Sequence, residues 1–181
     1  MSIILLRGFS NSGKDFIGEI LCNQYNYTRH AFADSLKKMV AKQFNCNIDI
    51  LHSQEGKLQI CQRDSLKRTY RQILIDEALR LRNIDSDIFA KHCCKEIKHD
   101  KVVITDWRYP NEIQNIIDTF PNYKIIPVHV QRMNQIQSPV VNISEYHLID
   151  RQNDFVIINN MDKTIYKEVE KLIIFIYRNE L

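Results

Sequence analysis

The sequence predicts an α/β protein with a parallel β-sheet covered by helices on both faces. Short apolar runs that suit buried strands alternate with longer segments of helical periodicity, and this alternation is typical of parallel sheets. A loop with two glycines joins the first such strand to the first helix. Ligands of open parallel sheets bind beyond the carboxyl ends of the strands. Residues that directly follow the predicted strands are therefore the first candidates for a functional site.

The first half of the chain is expected to hold strands and four helices. An apolar run at its start indicates a buried strand, and the spacing of Ile17, Ile20 and Leu21 places one apolar face on the first helix. The expected elements are a strand at residues 2–6, a helix at 16–24, a β-like stretch at 27–33, and helices at 35–44, 65–82 and 87–98. Residues 45–62 show no clear pattern. The helix at 65–82 is expected to bury Leu66, Ile73, Leu74, Ala78 and Leu81.

The second half repeats the alternation of strand and helix. Residues 102–105 form a short apolar run, and Pro110 suits the first turn of the helix that follows it. Further strands are expected at residues 123–130 and 155–158, and a last helix at 162–178. Residues 132–152 are polar and irregular.

The composition is that of a globular protein with one full hydrophobic core. Hydrophobic residues make up 44% of the 181 residues, and the formal net charge is +3. So small a charge does not imply nucleic-acid binding, although it suits small anionic substrates. We therefore expect no stable nucleic-acid partner. No apolar stretch approaches the length of a membrane span, so no membrane partner is expected.

The five cysteines show no C-x-x-C spacing, and their number is odd. This pattern favours reduced thiols over a disulfide framework. It indicates a cytoplasmic location, which would be the host cytoplasm for a viral protein.

The glycine loop, residues Gly8–Asp15, reads "GFSNSGKD" and matches the frame G-x-x-x-x-G-K of a phosphate-binding loop. Glycines let the backbone turn with positive φ and approach a ligand closely. The helix that follows directs its amides and the positive end of its dipole at a bound anion. Lys14 would add a point charge for the outer phosphates. The loop therefore predicts a nucleotide phosphate site.

Asp15 stands where this frame usually has Ser or Thr, whose hydroxyl reaches a magnesium ion. A carboxylate could ligate magnesium directly or through water, since this metal prefers oxygen ligands. Asp15 could instead only stabilise the helix through its negative charge near the N-terminus, an effect worth up to about 1 kcal/mol at surface sites. The residues alone leave both interpretations open.

Asp106 and Arg108 directly follow the strand at 102–105. Asp106 could hold a magnesium shell near the glycine loop, or it could cap the helix that begins near Pro110. Arg108 could bind a substrate phosphate through its planar fork, or it could form a surface ion pair with Glu112. We favour the functional interpretation of both residues.

Phosphoryl transfer depends on charge neutralisation, so several arginines should converge on the site. The candidates are Arg71 in the middle of the chain, Arg108, and Arg132 at the start of the polar segment. Residues 132–152 have the length and polarity of a lid that closes over bound substrates. The alternative is an ordinary surface loop with Arg132 in solvent.

Four stretches spread over the chain resemble the bacteriophage-type deoxynucleoside monophosphate kinases of the phosphate-loop kinase superfamily. The stretches are "GFSNSGKD" at residues 8–15, "FADSLKK" at 32–38, "ITDWRYPNE" at 104–112, and "NISEYHL" at 142–148 followed by "DFVIINN" at 154–160. This family likewise has Asp after the lysine of its loop. The resemblance therefore implies that Asp15 is the ordinary residue at this position of a functional loop.

The resemblance implies a single kinase domain over residues 1–181 with a three-layer phosphate-loop kinase fold. It implies a helical substrate-binding region at about 34–98 and a lid at about 132–152. The implied reaction is the ATP-dependent phosphorylation of deoxynucleoside monophosphates to diphosphates, with Mg²⁺ as cofactor. A homodimer is compatible with this assignment.

The resemblance also assigns the site residues. ATP is implied at Gly8, Ser10, Asn11, Ser12, Gly13, Lys14, Asp15 and Arg132. The monophosphate is implied at Asp34, Lys37, Arg71, Arg108 and Glu145. Magnesium is implied at Asp15 and Asp106, and Lys14, Asp106, Arg108 and Arg132 are the implied catalytic residues.

Two alternatives remain. Animal phosphomevalonate kinases are similar in the G-K-D-F ending at Gly13–Phe16 and in the last strand and helix, but they look less like "DWRYPNE". The other alternative is a non-catalytic nucleotide-binding protein that keeps the fold. The lysine, carboxylates and arginines present here argue against it.

Overall fold

The computed structural model describes residues 1–133, 147–148 and 151–178. Strands and helices alternate along the chain as predicted. The strands are β1 (Ser2–Arg7), β2 (Thr28–His30), β3 (Lys101–Ile104), β4 (Lys124–Arg132) and β5 (Phe155–Asn159). The helices are α1 (Lys14–Tyr25), α2 (Asp34–Phe44), α3 (Ile48–His52), α4 (Gln54–Leu58), α5 (Tyr70–Ile84), α6 (Ile88–Glu96), α7 (Pro110–Thr119) and α8 (Thr164–Arg178).

Within the described residues, the strands form one parallel sheet in the order β2-β3-β1-β4-β5. The chain leaves β1 toward β2 and leaves β4 toward β5, so the direction of the connections reverses between β1 and β4. Such a reversal opens a crevice at the carboxyl ends of the two strands, where open α/β sheets bind ligands. The predicted parallel sheet is confirmed, and its topology favours a site at the end of β1.

Both faces of the sheet are buried at its central strand, β1. On one face, alternate residues such as Ile4 and Leu6 pack in a cluster with α1 and α8, including Leu21 and Leu172. The intervening residues of β1 point to the opposite face, because side chains alternate along a strand. They are equally inaccessible, since Ile3 and Leu5 have no exposed surface. The layered arrangement predicted from the sequence is therefore present in the part of the chain that the structure describes.

The chain divides into two compact units. The first unit comprises residues 1–31 together with the described residues from 96 onward, and it contains the sheet with α1, α7 and α8. The second unit comprises residues 32–95 and is helical. The second unit coincides closely in extent with the substrate-binding region predicted at 34–98. Its role, and the single kinase domain predicted for 1–181, stay predictions.

The helix predicted at 65–82 begins five residues later in the structure, as α5. It begins at Tyr70, because the side chain of Thr69 accepts a hydrogen bond from Gln72 N while the Gln72 side chain accepts from Thr69 N. The preceding residues form a turn in which Lys67 has a φ of 52°. Leu66, predicted as a core position, therefore lies in this turn and is 72% exposed. Ile73 is fully buried as predicted.

Residues 45–62, which show no pattern in the sequence, contain the two short helices α3 and α4. Each helix begins with a side-chain cap: Asn47 Oδ1 accepts from Asp49 N at 3.0 Å, and Ser53 Oγ accepts from Gly56 N at 2.9 Å. Five residues in each helix are too few to show helical periodicity. Local capping therefore defines this segment better than its apolar spacing does.

All five cysteines are free thiols. Within residues 1–133, 147–148 and 151–178, no helix has the length and hydropathy needed to cross a membrane.

Candidate phosphate-binding site

The glycine loop leaves β1 and enters α1 through two positions that only glycine fits. Gly8 has a φ of 141° and Gly13 a φ of 99°, conformations that L side chains rarely adopt. A Cβ on Gly8 would lie 2.3 Å from Val130 O, and a Cβ on Gly13 would lie 2.2 Å from Asn159 Nδ2. The loop is thus packed against the ends of β4 and β5. Gly13 carries no side chain to cap the first-turn amides of α1, the groups that bind anions at helix N-termini.

Lys14 lies across the glycine loop. Its Nζ donates hydrogen bonds of 2.8 Å to Gly8 O and to Phe9 O, and it lies 3.4 Å from Ser12 Oγ. Ser12 itself is buried, and Ser12 N donates to Phe9 O at 3.1 Å. The ammonium is therefore held against the carbonyl oxygens of the loop, and a bound phosphate could replace these oxygens as its partner.

Asn159, the last residue of β5, supports the glycine loop from behind. Its side chain is buried, with Nδ2 donating to Ser12 O at 2.9 Å and Oδ1 accepting from Met161 N at 2.9 Å. Its amide also fills the space in front of Gly13. Sequence reasoning missed this residue. The signal was a polar residue at the carboxyl end of a predicted strand, the same signal that identified Asp106.

Arg132 is the last residue of β4, and its Nη1 donates to Asn11 O at 3.2 Å. Asn11 is an exposed residue of the glycine loop with a φ of 61°. The structure thus brings Arg132 and the loop together, because β1 and β4 are neighbouring parallel strands. Most of the segment after Arg132 lies outside the described residues, so the choice between a lid and an ordinary surface loop stays a prediction.

Asp106 and Arg108 follow β3 beside the end of β1, where Trp107 N donates to Leu6 O at 3.2 Å. The N-cap of α7 is Tyr109, not Asp106, and Pro110 is the first residue of the helix as predicted. Glu112 is buried, and its Oε2 accepts from the backbone amides of Arg108 and Tyr109 at 2.9 and 3.1 Å. Glu112 therefore fixes the backbone that carries Arg108.

The two predicted metal ligands are both in the first unit. Asp15 is exposed in the first turn of α1, and Asp106 is half-buried after β3. Among the described residues, no group of three or more His, Cys, Asp or Glu side chains could hold a metal ion. Magnesium is commonly held by one or two carboxylates together with substrate phosphates and water. The oxygen donors of Asp15 and Asp106 fit that kind of site.

A buried ion pair anchors Leu148 and residues 151–154 beside the glycine loop. Arg7 Nε pairs with Asp154, whose side chain is 1% exposed, and Arg7 also donates to Leu148 O at 3.0 Å and Arg151 O at 2.9 Å. Arg151 Nε donates to the other carboxylate oxygen of Asp154 at 2.7 Å and lies over the ring of Trp107. Arg7 therefore holds these residues next to Gly8 in the first unit.

A small pocket opens at the ends of β1, β3 and β4. Its lining residues are Arg7, Gly8, Phe9, Trp107, Arg108, His129 and Leu148. Burial, with the positive charges of Arg7 and Lys14, lowers the pKa of His129. The imidazole is therefore neutral at pH 7, and the pocket's formal positive charge comes from its arginines.

Three of the predicted substrate residues lie in the second unit. Lys37 Nζ is 3.9 Å from Asp34 Oδ1, so these two form an ion pair on α2. Arg71 lies in the first turn of α5, and its Nη2 donates to Gln54 Oε1 at 2.7 Å. Glu145 lies outside the described residues, as does most of the predicted lid at 132–152.

Comparison with solved structures gives the fold. The chain is similar to the crystal structure of a "putative kinase" from Chloroflexus aurantiacus J-10-fl, with a TM-score of 0.53 and 9% identity over 98% of this chain and 96% of that one. This likeness, with the parallel sheet, confirms the predicted α/β fold class.

Two further structures score lower. A gluconokinase from Sinorhizobium meliloti 1021 gives a TM-score of 0.44 at 9% identity over 99% and 98% of the two chains. A sugar kinase from Janibacter sp. HTCC2649 gives 0.41 at 10% identity over 97% and 94%. No protein-family model matches the sequence. No curated protein matches it.

Proposed function

We propose that this protein transfers the γ-phosphoryl group of ATP to a deoxynucleoside monophosphate and forms two diphosphates. The observation that carries the proposal is the glycine loop. It joins the end of β1 to the N-terminus of α1, Lys14 lies across it, and Arg132 donates to its backbone. A loop of this construction suits the triphosphate of a nucleotide.

The proposed catalysis rests on positioning and charge. Charge spreads over the oxygens of the transferred group in the transition state, so preorganised donors there lower the barrier. Lys14 and the first-turn amides of α1 would hold the outer phosphates. Arg132, already hydrogen-bonded to the loop, would neutralise the charge that develops during transfer. No covalent intermediate on the protein is needed.

Magnesium is proposed as the cofactor, held by Asp15 and Asp106 together with the phosphates of ATP. The metal would neutralise phosphate charge during transfer. The exposed position of Asp15, one residue after Lys14, supports this role because its carboxylate is accessible beside the loop. The free thiols support a reducing, cytoplasmic location.

The substrate class rests on the resemblance of "FADSLKK" and "ITDWRYPNE" to the deoxynucleoside monophosphate kinases. The same resemblance implies Lys37, Arg71 and Arg108 as the cations for the phosphate of the acceptor. Fixed cations of this kind suit a phosphate monoester dianion.

A substrate panel tests the proposal. The protein would be incubated with ATP, magnesium and, in separate reactions, each common deoxynucleoside monophosphate or phosphomevalonate, and ADP formation would be followed by a coupled assay. We expect turnover with at least one monophosphate. Turnover only with phosphomevalonate would assign that activity instead. Nucleotide binding without turnover on any acceptor would indicate a non-catalytic protein.

A further inference from the structure

The α3–α4 junction, His52–Gln54, contacts both cations that the second unit contributes to the proposed acceptor site. Lys37 Nζ lies 3.3 Å from His52 Nδ1, and Arg71 Nη2 donates to Gln54 Oε1 at 2.7 Å. Lys37 is on α2 and Arg71 on α5. His52 and Gln54, two positions apart, therefore contact side chains from two separate helices. Ser53 between them caps α4 and fixes the turn of the backbone.

The contact between Lys37 and His52 defines the state of the imidazole. An ammonium has donors only, so Nδ1 must accept and the ring proton must reside on Nε2. Lys37 is also paired with Asp34 at 3.9 Å, and the two side chains are only 15% and 19% exposed. His52 thus gives a half-buried lysine a second contact without neutralising its charge.

The contact between Arg71 and Gln54 leaves most of the guanidinium available. An arginine carries five N–H donors in a planar fork, and Gln54 accepts through one nitrogen. Arg71 Nε is buried and has no hydrogen-bond partner among the described residues. A buried donor without an acceptor is costly, so this position favours a ligand that brings an oxygen. A phosphate monoester offers such oxygens in a geometry that suits the fork.

We propose that His52 and Gln54 are positioning residues that hold Lys37 and Arg71 toward the phosphate of the acceptor, a phosphate monoester dianion. The inference rests on the proposed function and assigns a role to a segment whose sequence shows no pattern. His52 fixes the lysine, Gln54 fixes the plane of the arginine fork, and both are neutral, so the site keeps its full positive charge for the substrate.

The decisive variant is Gln54→Glu. A carboxylate at this position would pair with Arg71 and compete with the substrate phosphate. We expect the KM for the monophosphate to rise about tenfold or more, the worth of one hydrogen bond to a charged group, with the KM for ATP nearly unchanged. Gln59→Glu, the same substitution at an exposed position after α4, is the matched control and should leave both constants near the wild-type values.

His52 is tested by two variants. His52→Ala removes the acceptor for Lys37 and should raise the KM for the monophosphate. His52→Asn keeps an oxygen near the position of Nδ1 and should restore much of the loss. Circular dichroism and thermal unfolding of each variant would show whether it is folded. A merely structural role would lower the melting temperature and leave the ratio of the two KM values unchanged.

Binding measurements separate this inference from the proposed function. Calorimetry would give the affinity of each protein for a deoxynucleoside monophosphate without ATP. If the wild type binds but never turns over, the proposed function fails, and weaker binding to Gln54→Glu than to Gln59→Glu still supports the positioning role. If the wild type turns over and folded Gln54→Glu has an unchanged KM, the positioning role fails alone. A wild-type protein that neither binds a monophosphate nor turns one over would contradict both the proposed function and the positioning role.

Discussion

At the scale of single residues, Lys14 and Asn159 hold the glycine loop from two sides. The partly buried Lys14 donates to Gly8 O and Phe9 O, whereas the buried Asn159 donates to Ser12 O. The first contact can be exchanged for phosphate oxygens without disturbing the core. The second is part of the packing that shapes the loop. The two residues should therefore respond differently to substitution.

Lys14→Ala should remove most activity while the fold survives, because Lys14 is only partly buried and its ammonium donates to carbonyl oxygens of the glycine loop. The turnover number and the thermal unfolding temperature of the purified variant check this. Unchanged turnover in a folded variant would contradict the proposal that the glycine loop binds the phosphates of ATP.

Asn159→Asp should damage both stability and nucleotide binding. It replaces a buried donor to Ser12 O by a carboxylate that repels the carbonyl, and an unsatisfied buried group costs about 1–3 kcal/mol or more when charged. We expect a lower melting temperature and a KM for ATP that rises more than the KM for the monophosphate. Asn160→Asp, at the exposed neighbouring position, is the control. Equal effects of the two variants would contradict a supporting role for Asn159.

Arg132→Ala should lower kcat on the order of 10²-fold or more, the typical worth of a single transition-state donor. Its guanidinium is already hydrogen-bonded to the loop, so little reorganisation is needed for it to act. Steady-state kinetics beside Arg178→Ala, an exposed arginine at the end of α8, provide the test. A near-normal kcat in the folded Arg132 variant would exclude it from the transition state.

At the scale of elements, the strands were predictable from sequence and the helix starts less so. The bounds predicted for two strands, 102–105 and 155–158, agree with β3 and β5 to within one residue. Buried parallel strands are continuous apolar runs, which makes them easy to recognise in a sequence. The start of α5 was missed because Leu66 continues the apolar spacing, while the capping of Thr69 by Gln72 decides where the helix begins. Asn159 was missed because its role depends on a contact with a residue 147 positions away.

The turn before α5 should make stability depend on pH in acid. Asp64 is buried and accepts a bidentate pair of hydrogen bonds from Arg68, and these contacts lower the pKa of its carboxyl from the usual 3.8 to about 2. Because the folded-state pKa is depressed, the stabilisation is present above the unfolded pKa and is lost as the pH falls from about 4 through about 2.

Urea unfolding at a series of pH values, from near neutral down to about 2, would measure the free energy of unfolding and check this prediction. Asp64→Asn should be less stable than the wild type near neutral pH, and the difference should shrink as the pH falls through the window. A difference that stays constant with pH would show that the carboxylate is not the source.

At the scale of the whole molecule, the order of the sheet explains why distant residues form one site. Neighbouring parallel strands β1 and β4 end at the same edge, so the glycine loop and Arg132 meet although 121 positions separate Arg132 from Asn11. The strand end of β3 adds Asp106 and Arg108 to that edge. Sequence reasoning found these residues because each follows a recognisable strand.

Phosphorus NMR of a mixture of ATP, magnesium and a deoxynucleoside monophosphate tests the central claim most directly. If the wild-type protein transfers the γ-phosphoryl group, the signals of ADP and of the deoxynucleoside diphosphate should grow in equal amounts. They should stop growing when EDTA removes the metal and should be nearly absent with Lys14→Ala. Release of inorganic phosphate without a new diphosphate, or no change across the common monophosphates, would contradict the proposal that this protein phosphorylates deoxynucleoside monophosphates.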